Sequence, residues 1–195
     1  MEIVENSSWS CTHGVERWRS DCGCRIGFQP TWTQQWRAPL RDGLDRLADS
    51  LDGLYEEKAS ALFTDPWAAR DGYIRVILDR NAAGVDRFME KYRARFLGTD
   101  ERLLALELLE MQRHRLLMFT SCAWFFDEIS GIETGTVLLS AARALEVAQG
   151  FPEGASLEAE FMNSLAAAKS NVFNLGDGAA VYRRAVRRAR RKVKN

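Results

Sequence analysis

Apolar residues recur at spacings of three and four along most of the chain, which is the pattern of amphipathic α-helices. The first such stripe lies within about residues 32–57 and consists of Trp36, Leu40, Leu44, Leu47, Leu51 and Leu54. Pro39 suits the first turn of a helix, because that position leaves its backbone nitrogen without a required partner. The regular helix is therefore predicted to begin near Ala38, or to kink there.

Further helices are predicted from their end signals. Asp65 followed by Pro66 is typical of an N-cap and a first helical position, and Ser156 is a second candidate N-cap. Between these two sites, apolar residues on one face predict a helix over residues 134–149. The basic segment 179–195 is helical by propensity.

The longest uninterrupted stretch is residues 101–130, which contain neither proline nor glycine. They predict one helix of about 45 Å that is apolar on nearly every side and therefore buried among other helices. Five of its residues share one face by spacing, namely Glu110, His114, Ser121, Trp124 and Glu128. This polar stripe either lines a site or, as we favour, forms internal pairs in which Glu110, Arg113 and His114 satisfy one another.

No segment shows the alternation of a half-buried strand. The sequence therefore predicts an all-α fold, a bundle of about six or seven helices. Residues 1–30 lack any helical period and are predicted to form an irregular segment rich in Cys, Trp and Gly that packs on the bundle. Residues 31–178 would form the bundle itself, and residues 179–195 a basic C-terminal helix or tail.

Composition and charge narrow the classes of function. The chain has 195 residues, and its 27 Lys and Arg balance its 27 Asp and Glu, so no overall charge favours nucleic acid or a membrane surface. No apolar run is long enough to span a membrane, and residues 1–10 lack a signal-peptide pattern. We therefore predict a cytoplasmic protein without a membrane or nucleic-acid partner. The arginine-rich tail is interpreted as a solvated helix end.

The N-terminal segment carries a candidate metal site made of Cys11, His13, Cys22 and Cys24. Three thiolates and one imidazole are a ligand set suited to tetrahedral zinc, and the site would then be closed and structural. Against zinc, the spacing Cys-x-Cys is less usual than Cys-x-x-Cys. The alternative is a group of reduced cysteines packed near tryptophans.

The six tryptophans are candidates for a second kind of site, because flat aromatic rings stack on the apolar faces of sugars. Most tryptophans fill cores. Trp9 and Trp18 lie in the irregular segment, so they are the better candidates for a surface role.

Several blocks of the sequence resemble a known family. The opening ENSSWSCTHGVERW (residues 5–18), DPWAARD (65–71), LLEMQRH (108–114) and SCAWFFDEISG (121–131) are similar to domain-of-unknown-function family 3536, a bacterial domain. The resemblance extends over about residues 5–149 and does not include the arginine-rich tail.

This family is found C-terminal to a catalytic barrel resembling glycoside hydrolase family 57, so the resemblance implies a helical domain that closes over a sugar site. Ser8, Trp9, Gly14 and Trp18 match its aromatic loop, and Trp124 and Phe125 match a bundle helix. Ala123 and Asp127 depart from that helix motif, which has Asp and Trp at those positions. The resemblance implies substrate-binding roles for Trp9, His13, Trp18, His114, Trp124 and Glu128.

Three hypotheses follow. In the first, the chain is the accessory part of a carbohydrate-active protein whose barrel belongs to the same or a neighbouring polypeptide, and it has no catalytic residues and no activity alone. In the second, it is a metal-binding or protein-interaction module organised by Cys11, His13, Cys22 and Cys24. In the third, which the sequence supports least, it is an independent enzyme that uses Glu110, His114 or Glu128.

Overall fold

The computed structural model describes residue 2 and residues 4–193 of the chain. Over this described part it has nine α-helices, three short 3-10 helices and no β-strand, so the predicted all-α bundle is confirmed. Seven of the α-helices have seven or more residues. The helices are α1 (Arg37–Ala59), α2 (Pro66–Gly72), α3 (Ile74–Leu78), α4 (Ala82–Tyr92), α5 (Thr99–Leu117), α6 (Cys122–Phe125), α7 (Ile132–Ala148), α8 (Leu157–Leu165) and α9 (Gly178–Val193).

Helix α1 packs against α5, α7 and α8. Its predicted apolar stripe is buried throughout, from Trp36 at the N-cap to Leu54. The helix begins at Arg37, which places Pro39 in the first turn as expected. Large apolar side chains that lose all contact with water dominate such a core energetically, because each contributes about 1.5–3 kcal/mol.

The short helices α2, α3 and α4 close one end of the bundle. The Asp65 carboxylate accepts a hydrogen bond from the Ala68 N–H at 3.0 Å, so the predicted cap and the Pro66 start are confirmed. The rings of Tyr73, Phe63 and Tyr92 lie around Phe88 with centroid distances of 4.9–6.3 Å. This aromatic cluster anchors the three helices to the rest of the core.

The prediction of one long helix over residues 101–130 is wrong. Helix α5 ends at Leu117, a turn follows, and α6 covers only Cys122–Phe125. The Thr120 hydroxyl donates to the Leu117 carbonyl at 2.8 Å, and the Trp18 indole donates to the Ser121 carbonyl. These bonds satisfy backbone groups that a continuous helix would use, and Ser and Thr favour such local bonds over helix. Gly131, expected to end the long helix, instead is the N-cap of α7.

Helix α9 packs on α7 and α8. Its first half is part of the core, because Ala179, Val181 and Tyr182 are buried and the Tyr182 ring contacts Phe161 at a centroid distance of 5.7 Å. The start of the predicted basic segment 179–195 therefore belongs to the core. The arginine-rich tail, interpreted as solvated, has most of its arginine side chains exposed among the residues described. None of the helices in residues 2 and 4–193 is both long and apolar enough to cross a membrane.

Candidate metal centre

The N-terminal segment folds over α6 and the start of α1. Its 3-10 helix, Glu16–Trp18, contacts both of these helices. The two pairs of candidate ligands lie on either side of this turn. Gly23, between Cys22 and Cys24, has a φ of 76°, a conformation that residues with a side chain rarely adopt. Glycine at this position allows the tight turn that brings the two flanking cysteines to the same site.

Four possible metal-ligand atoms meet in this segment, one each from Cys11, His13, Cys22 and Cys24, and all lie within 4.8 Å of one another. The Sγ atoms of Cys11 and Cys22 are 3.8 Å apart, and Cys24 Sγ is 3.5 Å from His13 Nδ1. The first distance is far longer than a disulfide bond, and all four cysteines of the chain are free thiols. The cluster could therefore bind a metal ion.

The thiols of the cluster differ in their environment. Burial raises the pKa of the Cys11 thiol. The backbone N–H groups of His13 and Arg17 and the neighbouring thiols have a larger effect in the opposite direction, so that the pKa falls to about 7. Burial raises the pKa of Cys22. The cluster thus holds a thiolate near neutral pH at Cys11, the most buried of its cysteines.

Two buried arginines lie beside the cluster. Arg37 is fully buried and donates to the Cys24 carbonyl at 3.0 Å, and Arg17 is 4% exposed. Burial, followed by repulsion from Arg17, lowers the pKa of Arg37. A buried carboxylate, Asp127, lies 3.9 Å from the Arg37 guanidinium. Two buried cations with one buried carboxylate form a positive environment that favours negative charge on the neighbouring cysteines.

Sequence reasoning missed Arg17 and Arg37 and assigned Asp127 only as a departure from a family motif. For Arg37 a signal existed, since it lies three residues before Leu40 and seven before Leu44, on the face that is buried. A cation on an apolar stripe requires a buried partner. No comparable signal marks Arg17, because the irregular segment has no period.

The predicted substrate-binding residues fall into two groups. Trp9 is 92% exposed, with its ring centroid 5.9 Å from that of Phe125, and Trp18 packs on the bundle core while its indole donates to Ser121. His13 lies on the exposed side of the metal cluster. Trp9 and Trp18 therefore both contact α6 or the turn that precedes it, whereas His13 belongs to the Cys/His cluster.

The other three predicted residues are not part of that surface. Trp124 is buried and donates from its indole to the Arg37 carbonyl at 3.2 Å. The Glu128 carboxylate accepts from the Ser170 hydroxyl and the Asn171 N–H, so it fixes the loop before α9. The predicted stripe on a single helix therefore does not exist, because the backbone between His114 and Trp124 leaves the helical path.

The polar residues of α5 are partly paired, as expected. Glu110 accepts from Tyr73 at 2.6 Å and forms ion pairs with Arg80 and Arg113. Burial raises the pKa of Glu110, but the bonds from Tyr73 and Arg113 outweigh it and lower the pKa. His114 does not join this network, since its buried Nδ1 has no partner among the described residues. With its carboxylate fully engaged, Glu110 is a structural anchor.

A family model for a domain of unknown function, DUF3536, matches residues 32–195. No curated protein and no solved structure matches the chain. The match contains three of the four blocks on which the resemblance was based and includes the arginine-rich C-terminal segment, which was not expected to resemble the family. It begins after residues 5–18 and after the metal cluster.

Proposed function

The chain belongs to the DUF3536 family, and we propose that its N-terminal segment binds one structural zinc ion through Cys11, His13, Cys22 and Cys24. The observation that carries the proposal is the spacing of the ligand atoms. In a tetrahedral site with Zn–S of about 2.3 Å and Zn–N of about 2.05 Å, two sulfurs lie about 3.8 Å apart and a sulfur and a nitrogen about 3.6 Å. The corresponding distances of 3.8 Å between Cys11 and Cys22, and of 3.5 Å between Cys24 and His13, agree with both.

The charges around the cluster also support zinc. Zn²⁺ with three thiolates and a neutral imidazole carries one net negative charge. Asp127 offsets the charge of one of the two buried guanidiniums, Arg17 and Arg37. The net negative charge of the zinc site would offset the other. A buried cation without such compensation is costly, so the arginines favour the thiolate-rich, metal-bound state of the segment.

The role of this zinc would be to fold the segment onto the bundle. Residues 4–36 contain only one 3-10 helix among their described elements, and few of their side chains are buried. Small segments without a core of their own commonly depend on a metal for their structure. The helices α1 to α9, in contrast, have an extensive core that does not include the cluster.

Metal analysis of the purified full chain tests the proposal. We expect one zinc per chain and protection of three of the four thiols from a disulfide reagent, with the exposed Cys122 reacting freely. Cys22→Ser should lose the zinc, while Cys122→Ser, the matched control outside the cluster, should keep it. Far-ultraviolet circular dichroism should show the helices intact in both variants. Metal-free protein in the presence of micromolar free zinc would contradict the proposal.

A second function is favoured by one observation, the exposed Trp9 ring beside Phe125, whose ring in turn contacts that of Phe126. Together with the resemblance described above, to a family found C-terminal to glycoside hydrolase family 57-like barrels, this supports a helical accessory domain that contributes aromatic residues to a sugar site. The catalytic carboxylates would be supplied by the barrel. The zinc-bound segment would then hold Trp9 in place.

This second function has its own test. Titration of the full chain with a maltooligosaccharide should quench tryptophan fluorescence weakly, and Trp9→Ala should abolish the change. Trp67→Ala offers a control for loss of a partly buried tryptophan remote from the segment. Quenching that survives in Trp9→Ala, or hydrolysis of an α-glucan by the chain alone, would contradict it.

A further inference from the structure

We propose that the groove between α7 and α9 binds an amphipathic α-helix of a partner protein, with acidic residues flanking its apolar face. The groove lies apart from the metal centre, on the side of the bundle formed by the C-terminal helix. Three features indicate that this groove is a docking surface. Its floor is apolar, a glycine in the floor has no structural role within the described residues, and the arginines on its rim form no ion pair with them.

The floor of the groove is apolar and has the length of a short helix. Its lining includes Ile132 and Leu139 from α7, and Val181, Ala185 and Ala189 from α9. The main cavity has a volume of about 690 Å³ and continues into a smaller one of about 280 Å³ that shares Leu139 and Ala189. From Ile132 to Glu146 the two cavities follow α7 for about 21 Å, which is close to four helical turns. Two helices that expose parallel apolar stripes favour a third helix between them.

Gly135 lies in this floor without an intramolecular reason for being glycine. It is within α7, where glycine costs about 1 kcal/mol relative to alanine. A Cβ added at this position would meet no atom within 4 Å, so nothing in the described residues requires its absence. Together with Ala185 and Ala189 across the groove, it would allow the backbone of a docked helix to approach closely.

The rim of the groove is positively charged. Arg184 and Arg188 line it. Glu146, which also lines the groove, has its carboxylate paired with Arg143 at 2.6 Å. The six arginines between residues 183 and 191 form no ion pair with any residue that the structure describes. All 27 acidic residues of the chain precede residue 178, so α9 contains none. Charge complementarity therefore indicates an acidic partner.

The shape of the groove favours a helix over the other anionic partners. A nucleic acid or an anionic membrane would be attracted to all the exposed arginines of α9, including Arg183 and Arg187 on the side that faces α8. Neither would fill a concave floor at Gly135. Helix-in-groove binding uses both the apolar floor and the arginine rim.

The proposal is tested with the full chain and a designed peptide of 18 residues, capped at both ends, with leucines on one face and glutamates flanking them. Fluorescence anisotropy should show binding of this peptide that is at least about tenfold tighter than that of the same peptide with lysine in place of glutamate. The double variant Arg184→Glu/Arg188→Glu should lose at least about tenfold in affinity. Arg183→Glu/Arg187→Glu, with the same change of net charge on the other side of α9, should bind within about threefold of the parent chain.

The variant Gly135→Leu tests the groove without changing its charge and without disturbing the fold. The added side chain enters the open groove, so this variant should fold, unfold at the same or a higher temperature, and lose the peptide. Equal binding of the two peptides, equal losses in both arginine double variants, or full binding by Gly135→Leu would each overturn the proposal. Concentration-dependent dimerisation of the chain that Gly135→Leu abolishes would also overturn it, because the occupant would then be a second copy. Binding to phosphatidylglycerol vesicles that both arginine double variants reduce equally, without peptide binding, would assign α9 to a membrane surface instead.

Discussion

Asp127 lies 3.9 Å from the guanidinium of Arg37, and both side chains are almost completely withdrawn from solvent. The same carboxylate accepts hydrogen bonds from the backbone N–H groups of Ile26 and Gly27. Arg37 in turn donates to the Cys24 carbonyl, in the loop that carries two of the candidate metal ligands. One buried ion pair therefore joins the start of α1, the loop after α6 and the N-terminal segment.

Asp127→Asn is expected to destabilise the chain by about 3 kcal/mol, because it leaves Arg37 buried without its carboxylate and replaces an acceptor of the Ile26 and Gly27 N–H groups with an amide nitrogen. Urea unfolding followed by circular dichroism measures this loss. The thiols of the N-terminal segment should also react faster, since the segment loses its attachment to the bundle.

Asp45→Asn is the matched control for that loss. Asp45 pairs with Arg41 one turn away on α1, at 2.8 Å, and both side chains are partly exposed. Such pairs contribute little, so the change should remain within about 0.5 kcal/mol. A similar effect of the two substitutions would show that the buried pair does not hold the segment.

Substitution of two glycines by alanine is expected to change the stability of the chain in opposite directions. A Cβ on Gly53, within α1, would meet no atom within 4 Å, so Gly53→Ala should stabilise the chain by about 0.5–1 kcal/mol through helix propensity. A Cβ on Gly154 would lie 1.9 Å from the Ala148 carbonyl oxygen. Gly154→Ala should therefore cost about 1–3 kcal/mol, because the backbone must move. Thermal unfolding of both variants measures the difference, and a shift of the same sign would contradict this account.

The bundle could be predicted from the sequence because its signals are local. The stripe from Trp36 to Leu54 has one period over the whole of α1, and Asp65 with Pro66 marks a helix start that needs no tertiary partner. The failure over residues 101–130 has the opposite cause. The end of α5 depends on contacts with residues far away in the sequence, such as the Trp18 indole on Ser121, which no helical period can reveal.

The candidate metal site could be predicted by residue type, but its surroundings could not. Three cysteines and a histidine within fourteen residues indicate a ligand set by chemistry alone. The buried charges of Arg17 and Asp127 become part of the site only after the segment folds onto α6 and α1. The resemblance implied a substrate-binding role for Trp124; in the structure this side chain is buried and its indole donates to the Arg37 carbonyl at the start of α1.

Acidification is expected to destabilise the bundle through His114. Burial and the neighbouring Arg113 lower the pKa of this histidine, whereas Glu110 and Glu146 raise it less. The unfolded chain therefore binds a proton more readily than the folded chain once the pH falls below about 6.5, so stability decreases in that direction. Urea midpoints at pH about 7 and about 5.5 should differ more for the parent chain than for His114→Gln. His13 is present in both proteins, so its contribution to the pH dependence cancels. An equal shift of the urea midpoint in the two proteins would contradict the assignment of this effect to His114.

Oxidation of the metal-free chain is expected to join Cys11 to Cys22, whose sulfurs are 3.8 Å apart and need to move by less than 2 Å to form a disulfide. The Cys11 thiol, with its pKa of about 7, supplies the thiolate that hydrogen peroxide oxidises to a sulfenic acid, with release of water. The Cys22 thiol then attacks that sulfur, the disulfide forms and a second water leaves. One peroxide is thus reduced to two waters, and the chain loses two hydrogen atoms and two titratable thiols.

Zinc should prevent this reaction, because bound thiolates are held on the metal and neither sulfur is free to attack. Peptide mapping under non-reducing conditions should identify the Cys11–Cys22 link in the metal-free sample and not in the zinc-loaded one. Cys122 serves as an internal control, since it is exposed and belongs to α6 rather than to the cluster.

A peroxide-treated chain that loses Cys122 first, or that accumulates sulfinic acid at Cys11 without a disulfide, would contradict the close approach of the two sulfurs. A disulfide that forms equally with and without zinc would instead contradict the assignment of both sulfurs as metal ligands.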